Sequence, residues 1–97
     1  MLYEWDEEKN RENLLKHGLD FTDAWEIFNA PMLIVLDDRQ DYGEDRWIGM
    51  GLLRNRVVVV VYTERGEDTI RIISLRKALS HERKRYEKAL QDGLGQG

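Results

Sequence analysis

The sequence predicts an α+β fold: a small, mostly antiparallel β-sheet with two N-terminal helices and one C-terminal helix, in the order β-α-α-β-β-β-β-α. Three observations carry this. At 97 residues the chain has room for one hydrophobic core and no second one. After a short opening strand, two helices with recognisable starts and stops are read before Pro31, and from Met32 the pattern changes to short apolar runs separated by polar turns. Residues 80–91 then return to helix. The chain is therefore read as a single domain over residues 1–92, followed by a Gly-rich tail at 93–97.

Each element has a local reason. Leu2 to Trp5 reads as a short strand, and Asp6 is placed to cap the helix after it. Glu7 and Glu8 fall in the first turn of that helix, Lys16 and His17 in its last, and Gly18 stops it, all in agreement with the helix dipole. The helix is nearly polar, with Leu14 and Leu15 its only large apolar side chains. A second helix is expected over Thr22–Asn29, where Phe21, Ala24, Trp25 and Phe28 recur at helical spacing until Pro31 ends it.

Met32–Leu36 is the next strand, and Asp37–Asp45 a polar loop. Arg46–Leu53 and Val57–Thr63 form a hairpin about Arg54-Asn55-Arg56, with Asn55 suited to positive φ. Five consecutive valines at 57–61 show no alternation, so that strand is central or covered on both faces. After the turn Glu64–Asp68, Thr69–Leu75 is the last strand. Ser80 is expected to cap the final helix, which turns Leu79, Tyr86 and Leu90 toward the core. Gly49 and Gly51, inside a strand, suggest a close approach by a helix or a partner.

Composition narrows the function. The absence of cysteine excludes a disulfide scaffold, a thiolate nucleophile and an iron–sulfur cluster. No apolar run is long enough to cross a membrane and no signal-like segment opens the chain, so a soluble, cytoplasmic protein is expected. The formal charge of −4 hides an asymmetry: residues 1–45 carry −9 and residues 46–97 carry +5. Were the halves segregated in space, one face would be basic, the footprint of a polyanion site.

In the last strand, period-two geometry groups Ile70, Ile72, Ser74 and Arg76 on one face, against Arg71, Ile73 and Leu75 on the other. Arginines in such a strand need a carboxylate or a ligand, and Glu64, Glu82 and Glu87 are candidate partners. If instead Arg65, Arg71 and Arg76 meet at one sheet edge, they form a phosphate clamp of planar donors that stay charged. Lys16-His17 puts an imidazole beside an ammonium at a helix end, either as a dipole complement or as an acid–base group. His81 lacks a second histidine at metal-binding spacing, the carboxylates of the 37–45 loop do not match a calcium loop, and neither serine sits in a nucleophile elbow. No metal and no cofactor are expected.

These residues, taken in order, resemble a known family. Trp5-Asp6 with Lys9, Asn13, Lys16-His17-Gly18, Phe21 and Ala24, Gly43-Glu44 with Arg46-Trp47, Val60-Val61-Tyr62-Thr63 with Arg65-Gly66, Arg71-Ile72-Ile73-Ser74 with Arg76, and Glu82-Arg83 with Tyr86 resemble the BrnT family over residues 3–87. Leu75 departs from the small residue expected there. The resemblance implies a RelE-like fold and a ribonuclease toxin of a bacterial type II toxin–antitoxin module, arresting growth until a BrnA-like antitoxin neutralises it. It implies RNA cleavage without metal: the ribose 2′-OH attacks the adjacent phosphate, leaving a cyclic phosphate and a free 5′-OH. On that reading Arg65, Arg71 and Arg76 hold the phosphate with Lys16 assisting, and His17 is the leading acid or base with Glu82 or Tyr86 as its complement. Arg46 and Arg83 contact RNA. Operator DNA would be reached only through the antitoxin complex. The alternative is a non-catalytic RNA-binding or antitoxin-docking module acting in operon autoregulation.

Overall fold

A computed structural model describes residues 1–93. Its elements are β1 (Leu2–Glu4), α1 (Glu7–His17), a 3₁₀ turn (Phe21–Asp23), α2 (Trp25–Phe28), β2 (Leu33–Leu36), β3 (Trp47–Leu53), β4 (Arg56–Arg65), β5 (Thr69–Lys77) and α3 (Ser80–Gln91). The five strands form one sheet in the order β1-β5-β4-β3-β2, antiparallel except for the parallel pair β1–β5. This is the α+β arrangement expected. Most of the Gly-rich tail, from residue 94, lies outside the described residues.

The valine run is the centre. Val57–Val61 are all buried on β4, because the strand has neighbours on both edges and packing on both faces. On the first face Val58, Val60, Tyr62, Ile70, Ile72 and Leu75 pack under Phe21, Ala24 and Ile27. On the second, Val57, Val59 and Met50 pack under Tyr86 of α3. The β3–β4 turn is two residues, Arg54 and Asn55, both at positive φ. Gly49 and Gly51 permit the close approach foreseen for them: a Cβ on Gly51 would stand 2.7 Å from Ile27 of α2, and one on Gly49 2.5 Å from Met32.

Four local expectations are corrected. The helix expected at Thr22–Asn29 is a 3₁₀ turn followed by one short α-turn. Three residues per turn aligns Phe21, Ala24 and Ile27 with the core and leaves Trp25 half exposed. Leu79 and Leu90 are exposed; within α3 Tyr86 is the buried side chain. Ser80 is the first helical residue and not the cap, because Leu79 takes the cap position and its N–H donates to Glu82 at 2.8 Å.

The fourth correction bears on the site. Val61 pairs with Ser74 but Tyr62 with Ile72, so Ile73 is a β-bulge with no partner. The bulge shifts the alternation by one: Leu75 joins Ile70 and Ile72 in the core, while Ser74 and Arg76 share the second face with Arg71. The expected grouping of Arg76 with Ile72 does not hold.

Helix α1, whose two large apolar side chains are exposed, is tied down by amides. Beyond Arg71, among the described residues, the outer edge of β5 has no strand beside it. Asn13 takes that place: its Nδ2 donates to the Leu75 carbonyl at 2.8 Å and to the Leu19 carbonyl at 3.0 Å, and its Oδ1 accepts from the Leu75 N–H at 3.1 Å. Asn10 accepts from the Phe21 N–H and donates to Asp20, tying the helix to the turn that follows. Leu14 and Leu15 stay exposed.

Candidate functional site

Because Asn13 fixes α1 against the β5 edge, the last turn of the helix lies beside the end of that strand. Asp6 caps the helix start and Gly18, at φ 70, closes its end with an N–H to the Leu14 carbonyl. Lys16 and His17 thereby sit at the negative end of the helix dipole. They line an open cavity of about 550 Å³ with Arg76, Lys77 and Leu79, and a smaller one of about 270 Å³ that includes Asn13, Ile73 and Ser74. One imidazole and three cationic side chains thus share one opening. Lys77 was not foreseen, since the strand was expected to end at Leu75; its place directly after Arg76 was the available signal.

Arg76 is oriented from behind. Its Nη1 and Nη2 donate to the two carboxylate oxygens of Glu82 at 2.8 and 2.9 Å. The hydrogen bonds from Arg76 outweigh burial and hold the Glu82 carboxyl down at about 2; the Leu79 N–H adds to the effect. Glu82 is therefore an ionised anchor for Arg76 and for the start of α3, and no proton exchanger at neutral pH. Tyr86 is also withdrawn from the opening. It is fully buried, its hydroxyl donates to the Pro31 carbonyl at 2.8 Å, and burial raises its pKa.

The three-arginine clamp does not close at a single point. Arg71 and Arg65 converge on Glu4 of β1, whose Oε2 lies 2.6 Å from Arg71 Nη1 and 3.9 Å from Arg65 Nε. Arg76 stands five residues further along β5, about 13–16 Å away at the usual rise per residue. Arg46, just before β3, has its guanidinium 4.1 Å from the centre of the Tyr42 ring, with Nε 3.5 Å from Glu44 and without a hydrogen bond. Arg83 is half exposed beside Glu87 and lines a separate cavity of about 550 Å³ with Arg56, Lys77 and Leu52. Nor do the charged halves segregate. Glu4 lies against Arg65 and Arg71, and Asp23 and Glu26 against Arg54, because β1 and α2 are folded onto the C-terminal strands.

In the 37–45 loop, Asp37 is bound by Arg39 through two hydrogen bonds of 2.7 Å. Those bonds hold the buried Asp37 carboxyl down at about 2. Among the described residues no group of three His, Cys, Asp or Glu side chains is placed to hold a metal ion. The lowered Asp37 and Glu82 groups set a pH dependence. A carboxyl depressed in the folded state adds stability above its ordinary value near 4, and that stability is lost as pH falls toward 2. Acid unfolding followed by circular dichroism is expected within this window, with Asp37→Asn and Glu82→Gln less stable at neutral pH and less sensitive to acid. An unchanged acid transition in both variants would contradict this assignment.

Among the described residues no helix is long and apolar enough to cross a membrane. Residues 5–82 match the family model described as the ribonuclease toxin, BrnT, of a type II toxin–antitoxin system. Among solved structures, the chain is similar to the ribonuclease toxin BrnT of Brucella abortus, at 28% identity and a TM-score of 0.69, over 82% of this chain and 100% of that one. A search of curated proteins finds no match.

Proposed function

This chain belongs to the BrnT family of ribonuclease toxins of type II toxin–antitoxin systems, and from that membership we propose that it cleaves RNA at the opening shared by Lys16, His17, Arg76 and Lys77. The observation that carries this reading is the meeting of an imidazole with three cations in one accessible cavity. The reaction is attack by a ribose 2′-OH on the adjacent phosphorus, with loss of the 2′ proton to a base. The bond from phosphorus to O5′ breaks, and O5′ takes up a proton. His17 serves as acid or base, a step that contributes roughly 10²–10⁴-fold when the group is positioned. Arg76, held in place by Glu82, neutralises the charge that gathers on the phosphate oxygens, with Lys16 and Lys77 alongside. Arg46, Arg65, Arg71 and Arg83 take neighbouring phosphates. Glu82 acts only through Arg76, and Tyr86 anchors α3.

These side chains supply proton transfer and charge neutralisation themselves, so the cleavage is proposed to be metal-independent. A BrnA-like antitoxin would neutralise the toxin in the cytoplasm by covering the basic opening, and operator DNA would be reached only through that complex. Incubation of the purified protein with single-stranded RNA, with and without EDTA, tests the reading. Cleavage that survives the chelator and leaves 2′,3′-cyclic phosphate and 5′-OH ends is expected. Binding without cleavage would replace it with the RNA-binding or antitoxin-docking module, and cleavage abolished by EDTA would remove metal independence.

A further inference from the structure

We propose that Arg65 and Arg71 form a second seat for an RNA phosphate, and that Glu4 occupies this seat in the free protein and yields it to the incoming backbone. The proposal rests on the ribonuclease reading and adds to it an internal competitor for substrate. Glu4 is the register partner of Arg71 across the parallel β1–β5 pair, so the sheet itself places the carboxylate there. Its Oε2 receives Arg71 at 2.6 Å and lies 3.9 Å from Arg65, while Oε1 has no hydrogen bond among the described residues. One guanidinium hydrogen-bonded to an anionic oxygen and a second within ion-pair distance of it, from adjacent strands, bring together the charge and donors that suit a non-bridging phosphate oxygen.

The seat is accessible and its occupant is exchangeable. The side chains of Glu4, Arg65 and Arg71 are 41%, 52% and 30% exposed, and ion pairs of such exposure are weak. The phosphate diester offers two non-bridging oxygens where Glu4 engages one. The bulge at Ile73 puts this seat on the same sheet face as Arg76. A single RNA strand running along β5 therefore meets the Arg65–Arg71 pair and the His17 opening in succession. Thr63, the β4 residue opposite Arg71, is committed elsewhere, its hydroxyl donating to the Asp45 carbonyl at 2.6 Å. Glu44, Asp45 and Glu64 line a neighbouring cavity with Arg65, but Glu4 is the carboxylate paired with both guanidiniums, and its charge is the one the RNA displaces from them.

The test is Glu4→Gln, which keeps shape and a hydrogen-bond acceptor for Arg71 while removing the competing charge. A fully 2′-O-methylated RNA oligonucleotide, which cannot be cleaved by 2′-OH attack, reports binding alone. E4Q is expected to bind it roughly fivefold more tightly than the unaltered protein, the value of one exposed ion pair that no longer has to be broken. Adding Arg71→Ala should erase that gain. Inorganic phosphate titrated at constant ionic strength separates a seat that a lone anion fills from one that works only within a polyanion; tighter binding of either ligand by E4Q supports displacement. Equal or weaker binding of both ligands by a folded E4Q would overturn it. Because the oligonucleotide is uncleavable, failure of the ribonuclease reading shows in the RNA cleavage assay, and failure of the displacement shows here.

Discussion

Replacing His17 with alanine is expected to lower RNA cleavage by about 10²–10⁴-fold while leaving the circular dichroism spectrum unchanged. The two roles open to this side chain differ in magnitude. A histidine that only complements the negative end of α1 contributes roughly 0.3–1 kcal/mol to stability, and its loss would leave cleavage intact. One that exchanges a proton with the ribose or the leaving oxygen acts at the barrier, where each 1.36 kcal/mol is tenfold in rate. The position is favourable for the second role, because Lys16, Arg76 and Lys77 line the same cavity and put positive charge beside the imidazole. Cleavage by H17A within a fewfold of the unaltered protein would remove His17 from the reaction. The uncleavable oligonucleotide separates chemistry from affinity: binding should change little, since the neighbouring cations remain.

The second large effect concerns stability. Asn13→Ala is expected to destabilise the protein by about 3 kcal/mol and to lower its melting temperature by roughly 10–20 °C. The side chain makes three hydrogen bonds, two of them to the N–H and carbonyl of Leu75, beyond the stretch of β5 that β1 pairs. Each buried backbone group left without a partner costs about 1–3 kcal/mol, and alanine strands both. Asn13→Asp should be nearly as damaging at neutral pH, because a carboxylate has no proton for the Leu75 carbonyl. A loss below about 0.5 kcal/mol for N13A would show that water replaces the amide and that α1 is held by other contacts. Since α1 carries Lys16 and His17, N13A should also lose cleavage at temperatures where it remains folded.

Much of the fold was legible because it depends on local rules. The cap at Asp6, the stop at Gly18, the positive φ at Asn55 and the unbroken valine run each follow from backbone sterics, terminal hydrogen bonding or burial over a few residues. The first departures also have local forms but distant causes. Phe21, Ala24 and Ile27 follow a three-residue turn because the sheet below them selects that alignment, and the spacing of Phe21, Ala24, Trp25 and Phe28 suits an α-helix equally well. The bulge at Ile73 changes the face of Arg76, and strand periodicity carries no trace of it.

The site divides along the same line. Lys16-His17 at a helix end and Arg76 near the end of an apolar strand could be singled out from the sequence, because charged residues in such settings need an explanation wherever they occur. Their meeting could not, since it depends on Asn13 bonding across 62 residues to a strand edge that β1 leaves unpaired. The pairing of Glu4 with Arg71, and more loosely with Arg65, likewise follows from a parallel strand pairing between distant parts of the chain, which no short-range pattern encodes. The sequence by itself determined the fold class, the element order, the chemistry available and the family; which of those groups share a pocket, which are locked to a carboxylate and which are buried was decided by tertiary structure alone, because pairing, register and the satisfaction of edge hydrogen bonds are properties of residues brought together from far apart.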